Sequence, residues 1–198
     1  MEYIIKNIND YDNEEIKSSY KKIPMIKKKR IDKYINNEAK ERSIIGEILL
    51  YNLMLKKNIA YEKQDYYINK YGKPYFKSNS IYFNISHSFD YIITIISNKK
   101  IGIDIEKIRE TPLNAINQFA TKKEKEYILS SNNNIEERLF KIYTLKEAYF
   151  KMLGTNLNNI LEVEFSIKQN EVSCSDKNVK IGFINEIEGY VISYCEMK

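Results

Sequence analysis

Tryptophan is absent from this chain, histidine occurs once, and cysteine occurs twice. Cys174 and Cys195 both fall in the last quarter without CxxC spacing, and the only imidazole, His87, is far from either, so a zinc site lacks its ligand set. Glycine and proline are sparse, at six and three, and no low-complexity linker interrupts the chain. No apolar run approaches the roughly 18 to 20 residues that span a bilayer. The opening MEYIIKNINDYDNEE has no basic leader, apolar stretch or small-residue cleavage site. The expectation is a cytoplasmic protein with two free thiols. GxGxxG, Walker A, GxSxG and HExxH sequences are all missing, which leaves nucleotide-loop, serine-hydrolase and zincin readings without support.

What is present describes a globular protein. With 198 residues, 43% hydrophobic and 30% charged, the chain suits one large domain or two small ones. Net charge is +5, and Lys21 to Lys33, KKIPMIKKKRIDK, supplies seven of the 32 basic residues. That run reads either as a solvated face or as a site for an anionic partner. Residues 37–57 place Ile45, Ile48, Leu49 and Leu53 at helical spacing. Gly72 and Pro74 mark a turn, and two strand-like runs, IYFNIS and YIITIIS, flank a loop containing His87. A second long helix is expected from an N-cap at Asn134 to a stop at Gly154, followed only by strand-like runs. Helix followed by strands occurs twice. The fold class expected is α+β, with two similar-sized, pseudo-twofold-related subdomains over 1–101 and 102–198, each a long helix packed on an antiparallel sheet.

From Ile101 to Glu106 the alternation is strict, with Ile101, Ile103 and Ile105 on one face and Gly102, Asp104 and Glu106 on the other. The isoleucine row is expected in the core and the carboxylates out of it. Two negative charges within roughly 7 Å repel unless water screens them or a cation sits between. A hard divalent ion resolves the conflict, and so does an ordinary solvated sheet edge. Gly102 on that face would leave room for a bulky ligand. Glu147 and Lys151, at i and i+4, make an ordinary helical ion pair on their own. Lys146 falls inside the apolar arc of its helix and needs a partner or must snorkel. Thr121-x-x-Glu124 reads as a capping box. His87, between Ser86 and Ser88, is either structural or one of several donors to an oxyanion such as phosphate.

The order YGKPYF, FNISHS, IGIDIEK and FKIYTLKEAYFKMLG resembles the motif series of the 4′-phosphopantetheinyl transferases over residues 27–154. The likeness is to the larger, pseudo-dimeric, surfactin-synthetase-activating type, which modifies carrier proteins of nonribosomal peptide and polyketide synthesis. Tyr143 departs from the family, which commonly has tryptophan there; an effect on packing is expected. The resemblance implies Mg²⁺ held by Asp104, Glu106 and Glu147 under the diphosphate of the co-substrate coenzyme A. It implies Ser86 and His87 at phosphate oxygens, Lys151 neutralising the diphosphate, and Lys73 at the nucleotide end. Arg42 and Ser43 would contact the nucleotide, and Lys27 and Arg30 the 3′-phosphate. Glu147 would take the serine proton, Lys151 would stabilise the leaving phosphate, and Glu124 would help hold metal-bound water. The product would be adenosine 3′,5′-bisphosphate, and the acceptor an apo acyl or peptidyl carrier protein. A monomer without nucleic-acid or membrane partners is implied. The shorter, trimeric fatty-acid type fits this length less well. The rival from another class is a non-catalytic basic nucleotide- or RNA-binding module using Lys27 to Lys33, which leaves the Asp104/Glu106 pair unexplained.

Overall fold

The helical periodicity over 37–57 becomes a helix, Asn37–Lys56, whose first amides are capped by the Asn36 side chain. A computed structural model describes residues 1–78, 80–169 and 171–198. Its contacts divide the chain into two units, Met1–Asn98 and Lys99–Lys198. The division falls ahead of the strand Ile101–Lys107, all seven residues of which pair within the second unit.

In the first unit β1 (Glu2–Asn7) leads to α1 (Asn13–Tyr20), α2 (Met25–Ile31) and the long α3 (Asn37–Lys56). A short hairpin, β2 (Tyr66–Ile68) and β3 (Pro74–Phe76), and a longer one, β4 (Tyr82–Ser88) and β5 (Tyr91–Ser97), complete it. The main sheet is antiparallel in the order β1-β5-β4. Ile45, Leu49 and Leu53 of α3 are fully buried, and α3 packs on the central strand β5.

The second unit repeats this plan. β6 (Ile101–Lys107) is followed by the short α4 (Lys122–Ile128), the long α5 (Ile135–Leu153), the hairpin β7 (Phe165–Lys168) and β8 (Glu171–Cys174), then β9 (Val179–Phe183) and β10 (Tyr190–Met197). Its sheet runs β6-β10-β9, so in both units the last strand sits between the first and the penultimate. The architecture is α+β with two similar halves, each a helix on an antiparallel sheet. Among the described residues no helix is long and apolar enough to cross a membrane. Both cysteines are free and buried.

Two local expectations change. His87 is not in a loop: β4 runs through it to Ser88, paired across from Ile92, and only Phe89 and Asp90 form the turn. Serine and histidine read as turn residues in isolation, but the isoleucine-rich β5 supplies a complete ladder partner. Asn134 does stand at the start of α5, yet its backbone is left-handed at φ 58° and its side chain makes no capping bond. Asparagine serves there by tolerating that conformation. The helix stops at Gly154 as expected.

Candidate active site

β6 carries the acidic pair, and the helix covering it arrives on an unexpected side. A Cβ on Gly102 would lie 2.0 Å from the Ala148 carbonyl oxygen and 2.3 Å from the Met152 nitrogen, so α5 packs on the Gly102–Asp104–Glu106 face. Ser193, opposite Asp104 in the ladder, has its Oγ 2.6 Å from Thr144 Oγ1 of α5. Asp104 therefore does not point out of the core: it is 3% exposed, while Ile101, Ile103 and Ile105 are fully buried as well. Alternation separates two faces but does not say which a helix covers. Gly102 serves the close approach of α5; it does not leave room for a ligand.

Burying Asp104 demands a partner. Its Oδ1 accepts a hydrogen bond from Lys151 Nζ at 2.5 Å. Burial pushes the Asp104 carboxyl up to about 6; Lys151 pulls it down, and the charges of Glu147 and Glu106 push it up. For Lys151, burial works against the ammonium, but Asp104, Glu147 and Glu106 outweigh it and hold the group above an ordinary lysine. Asp104, Glu106, Glu147 and Lys151 are thus near enough to act on one another by charge. Lys151 also reaches across to Asp104, a contact between helix and strand that its i, i+4 spacing from Glu147 does not reveal.

Tyr143, Glu147 and Lys151 follow at i, i+4 and i+8 along one face of α5. The Tyr143 hydroxyl donates to Glu147 Oε1 at 3.1 Å, and its ring meets Phe119 edge-on at 5.3 Å. Burial first, then Glu147, raises the Tyr143 phenol above its ordinary range. Tyr143 thus bonds directly to Glu147, where its departure from the family motif was expected to affect packing more than chemistry. The spacing to Glu147 was the available signal. Glu106 is partly exposed and paired with Arg109 at 3.1 Å.

Glu124 is elsewhere. Its capping box with Thr121 is present, and the carboxylate is fully buried against Lys146 at 2.9 Å. It also accepts from the Phe165 amide at 2.8 Å. Lys146, the apolar-arc lysine, thereby finds its partner, and its ammonium also donates to the Ile160 and Val163 carbonyls. Burial lowers its pKa, with Glu124 opposing.

The basic residues belong to the first unit. Lys27 turns inward, 8% exposed, with Nζ 3.3 Å from Glu47 Oε1. Arg30, one turn further along α2, donates to the Gly72 carbonyl, adjacent to Lys73. Arg42 bonds the Phe89 carbonyl at 3.2 Å and pairs with Glu38, and Ser43 is buried beside it. Ser86 is buried and His87 exposed, and as neighbours on a strand they project from opposite faces. Glu47, a buried carboxylate joined to three side chains, was not singled out by motif or spacing.

Among the described residues no group of three or more His, Cys, Asp or Glu side chains is placed so that it could hold a metal ion. The donor chemistry at Asp104, Glu106 and Glu147 is nonetheless all hard oxygen, and Mg²⁺ is typically held by one or two carboxylates with substrate phosphates completing the shell. By the chemistry of their donors, these residues suit that ion.

Comparison with known proteins covers nearly the whole chain. Residues 100–195 match the 4′-phosphopantetheinyl transferase superfamily, and residues 11–100 match the description 4′-phosphopantetheinyl transferase, N-terminal. The 4′-phosphopantetheinyl transferase gsp of Aneurinibacillus migulanus is 28% identical over 98% of this chain and 84% of its own length. The transferase Sfp of Bacillus subtilis is 25% identical over 84% of this chain and 74% of its own. A further Bacillus subtilis transferase, ffp, is 27% identical over 73% of this chain and 66% of its own.

Proposed function

Because the chain belongs to the 4′-phosphopantetheinyl transferase superfamily, as the larger Sfp-like type, we propose how its own residues carry out the transfer. It is a transferase that moves the phosphopantetheine group of coenzyme A to a carrier protein. The reading as a nucleotide- or RNA-binding module finds no support among its relatives.

The observation that carries the reading is the contact of Lys151 on α5 with Asp104 on β6 at 2.5 Å, with Glu106 and Glu147 near enough to act on both by charge. Asp104, Glu106 and Glu147 would hold Mg²⁺, which when bound supplies positive charge to the diphosphate of coenzyme A. The carrier serine oxygen attacks the phosphorus that bears the pantetheine arm. The bond from that phosphorus to the leaving phosphate breaks, and adenosine 3′,5′-bisphosphate departs. Glu147 takes the serine proton, its carboxylate oriented by the Tyr143 hydroxyl. Lys151, kept cationic by the carboxylates around it, faces the leaving phosphate. Glu124 is held on both oxygens, and its contribution is to fix α4 against α5 and β7.

Arg30 and Lys73 are assigned to the nucleotide end of coenzyme A, with Lys27, Arg42 and Ser43 shaping the same region. His87, the exposed member of its pair, is assigned to phosphate oxygens, with Ser86 on the opposite face of β4. Acceptors are proposed among carrier proteins of nonribosomal peptide, polyketide or fatty-acid synthesis, served by a cytoplasmic monomer. The test is mass spectrometry of an apo carrier protein incubated with the enzyme, coenzyme A and Mg²⁺. The expected result is a mass gain of one phosphopantetheine arm, abolished by chelator. An unmodified carrier across a panel of acceptors overturns the reading, and transfer undiminished by chelator overturns the metal assignment.

A further inference from the structure

Glu47 lies halfway along α3, is 2% exposed, and holds three side chains from three different elements. Lys27 of α2 is 3.3 Å from Oε1, the Tyr66 hydroxyl of β2 donates to Oε1 at 2.7 Å, and the Tyr61 hydroxyl donates to Oε2 at 2.8 Å. Removing a carboxylate and an ammonium from water is costly, and a buried pair is often no more stabilising than an apolar replacement. Such a pair is better suited to fixing geometry than to adding stability.

The geometry it fixes runs to the basic residues. Lys27 and Arg30 are one turn apart on α2, so pinning Lys27 sets the rotation of the helix and the direction of Arg30. Tyr66 pairs with Phe76 in the β2–β3 hairpin, whose turn is closed by Asn69: its carbonyl accepts from the Gly72 amide, and its side chain accepts from the Tyr71 and Lys73 amides. Arg30 donates to the Gly72 carbonyl of that turn. Gly72 is at φ +88° with its missing Cβ 3.3 Å from the guanidinium, so the turn accepts Arg30 only as glycine. One carboxylate thus joins the helix bearing Arg30 to the hairpin bearing Lys73.

The second unit carries the same device with the charges exchanged. Lys146 of α5 is buried against Glu124 of the preceding short helix, and Glu124 binds the amide of Phe165 at the start of the following hairpin. What recurs is a fixed ion pair between long helix and short helix at the hairpin's root; its polarity is free. Lys27 therefore fills the place of a structural partner, and the charge offered to an anion comes from Arg30 and Lys73.

We propose that Glu47, acting through Lys27 and Tyr66, is a positioning residue that sets Arg30 beside Lys73 and so determines how strongly the enzyme prefers coenzyme A over dephospho-coenzyme A. This rests on the assignment of the nucleotide end to Arg30 and Lys73 above. The experiment measures kcat and KM for both co-substrates, with thermal melting, in wild type, Glu47→Gln, Tyr66→Phe, Tyr61→Phe and Arg30→Ala. Glu47→Gln and Tyr66→Phe are expected to raise KM for coenzyme A by about tenfold with kcat little changed, and to leave KM for dephospho-coenzyme A near wild type. Tyr61→Phe removes the same kind of bond from the same carboxylate but is not in the hairpin. It is expected to melt earlier with the preference intact. If Glu47→Gln does not fold, Tyr66→Phe decides alone. An unchanged preference in Tyr66→Phe, or an equal loss in Tyr61→Phe, overturns the inference while a lowered preference in Arg30→Ala keeps the site assignment standing. An unchanged preference in Arg30→Ala overturns the assignment itself, and the inference with it.

Discussion

Asp104 and Lys151 link the strand and the helix of the site at 2.5 Å, and this contact changes what each residue's removal means. An alanine at 104 strips a partly buried ammonium of its partner as well as removing a metal ligand, so Asp104→Ala confounds chemistry with packing. Glu147 offers the cleaner test. It is half-buried, and its bond from Tyr143 can be kept by the isosteric amide. If it accepts the serine proton, Glu147→Gln lowers kcat by at least about a hundredfold, within the range expected of general-base catalysis. Single-turnover transfer at saturating Mg²⁺ checks this: restoration by excess metal marks a ligand only, and a near-normal rate throughout removes Glu147 from the chemistry. Neither the pairing of Lys151 with Asp104 nor that of Tyr143 with Glu147 was assigned from the sequence. The first joins residues 47 positions apart, and the second lay behind a substitution that read as a change in packing.

At the scale of elements, the approach of α5 to β6 is set by the absence of one side chain. Gly102 admits the backbone of Ala148 and Met152 at distances no Cβ tolerates. The expected outcome for Gly102→Ala is an outward shift of α5, at a cost of about 1–3 kcal/mol or more for forcing atoms into a packed interior. Since α5 carries Glu147 and Lys151, a shift of roughly 1 Å also lowers transfer by about a hundredfold. Denaturant melts and kcat measured on the same preparation test both parts. Loss of stability with full turnover would separate helix placement from catalysis. Both long helices were legible as elements, because their apolar positions recur at the helical period and Gly154 ends the second. The strand through His87 was not, because its partner's isoleucines decide it, and those belong to β5.

Across the whole molecule, one topology is used twice, and each copy buries an ion pair on its long helix. The global stability of the metal-free protein reports on the site through Asp104. Its carboxyl is raised from the usual 3.8 to about 6, so between those values the native state keeps a proton that the unfolded chain has released. Stability from this group is therefore complete below the lower value and is lost as pH rises through about 6. In chelator, Asp104→Asn is expected to gain on wild type as pH rises from about 4 to 6, and then to level off. Urea unfolding of the two proteins at matched pH measures the difference, and a flat difference across that window would show that Asp104 titrates as an ordinary carboxylate.

The sequence by itself determined the class of elements, the two-part α+β plan and the family, since periodicity and motif order are properties of neighbours along the chain. It also identified Lys146 as a lysine that needed a partner. Which face of β6 receives α5, where Lys27 and Lys146 find their counter-charges, and which side of β4 carries His87 were decided only by tertiary structure. Alternation along a strand is symmetric between its two faces, and a buried charge specifies that a partner must exist without specifying where in the chain it lies. Both questions are answered by packing between segments distant in sequence.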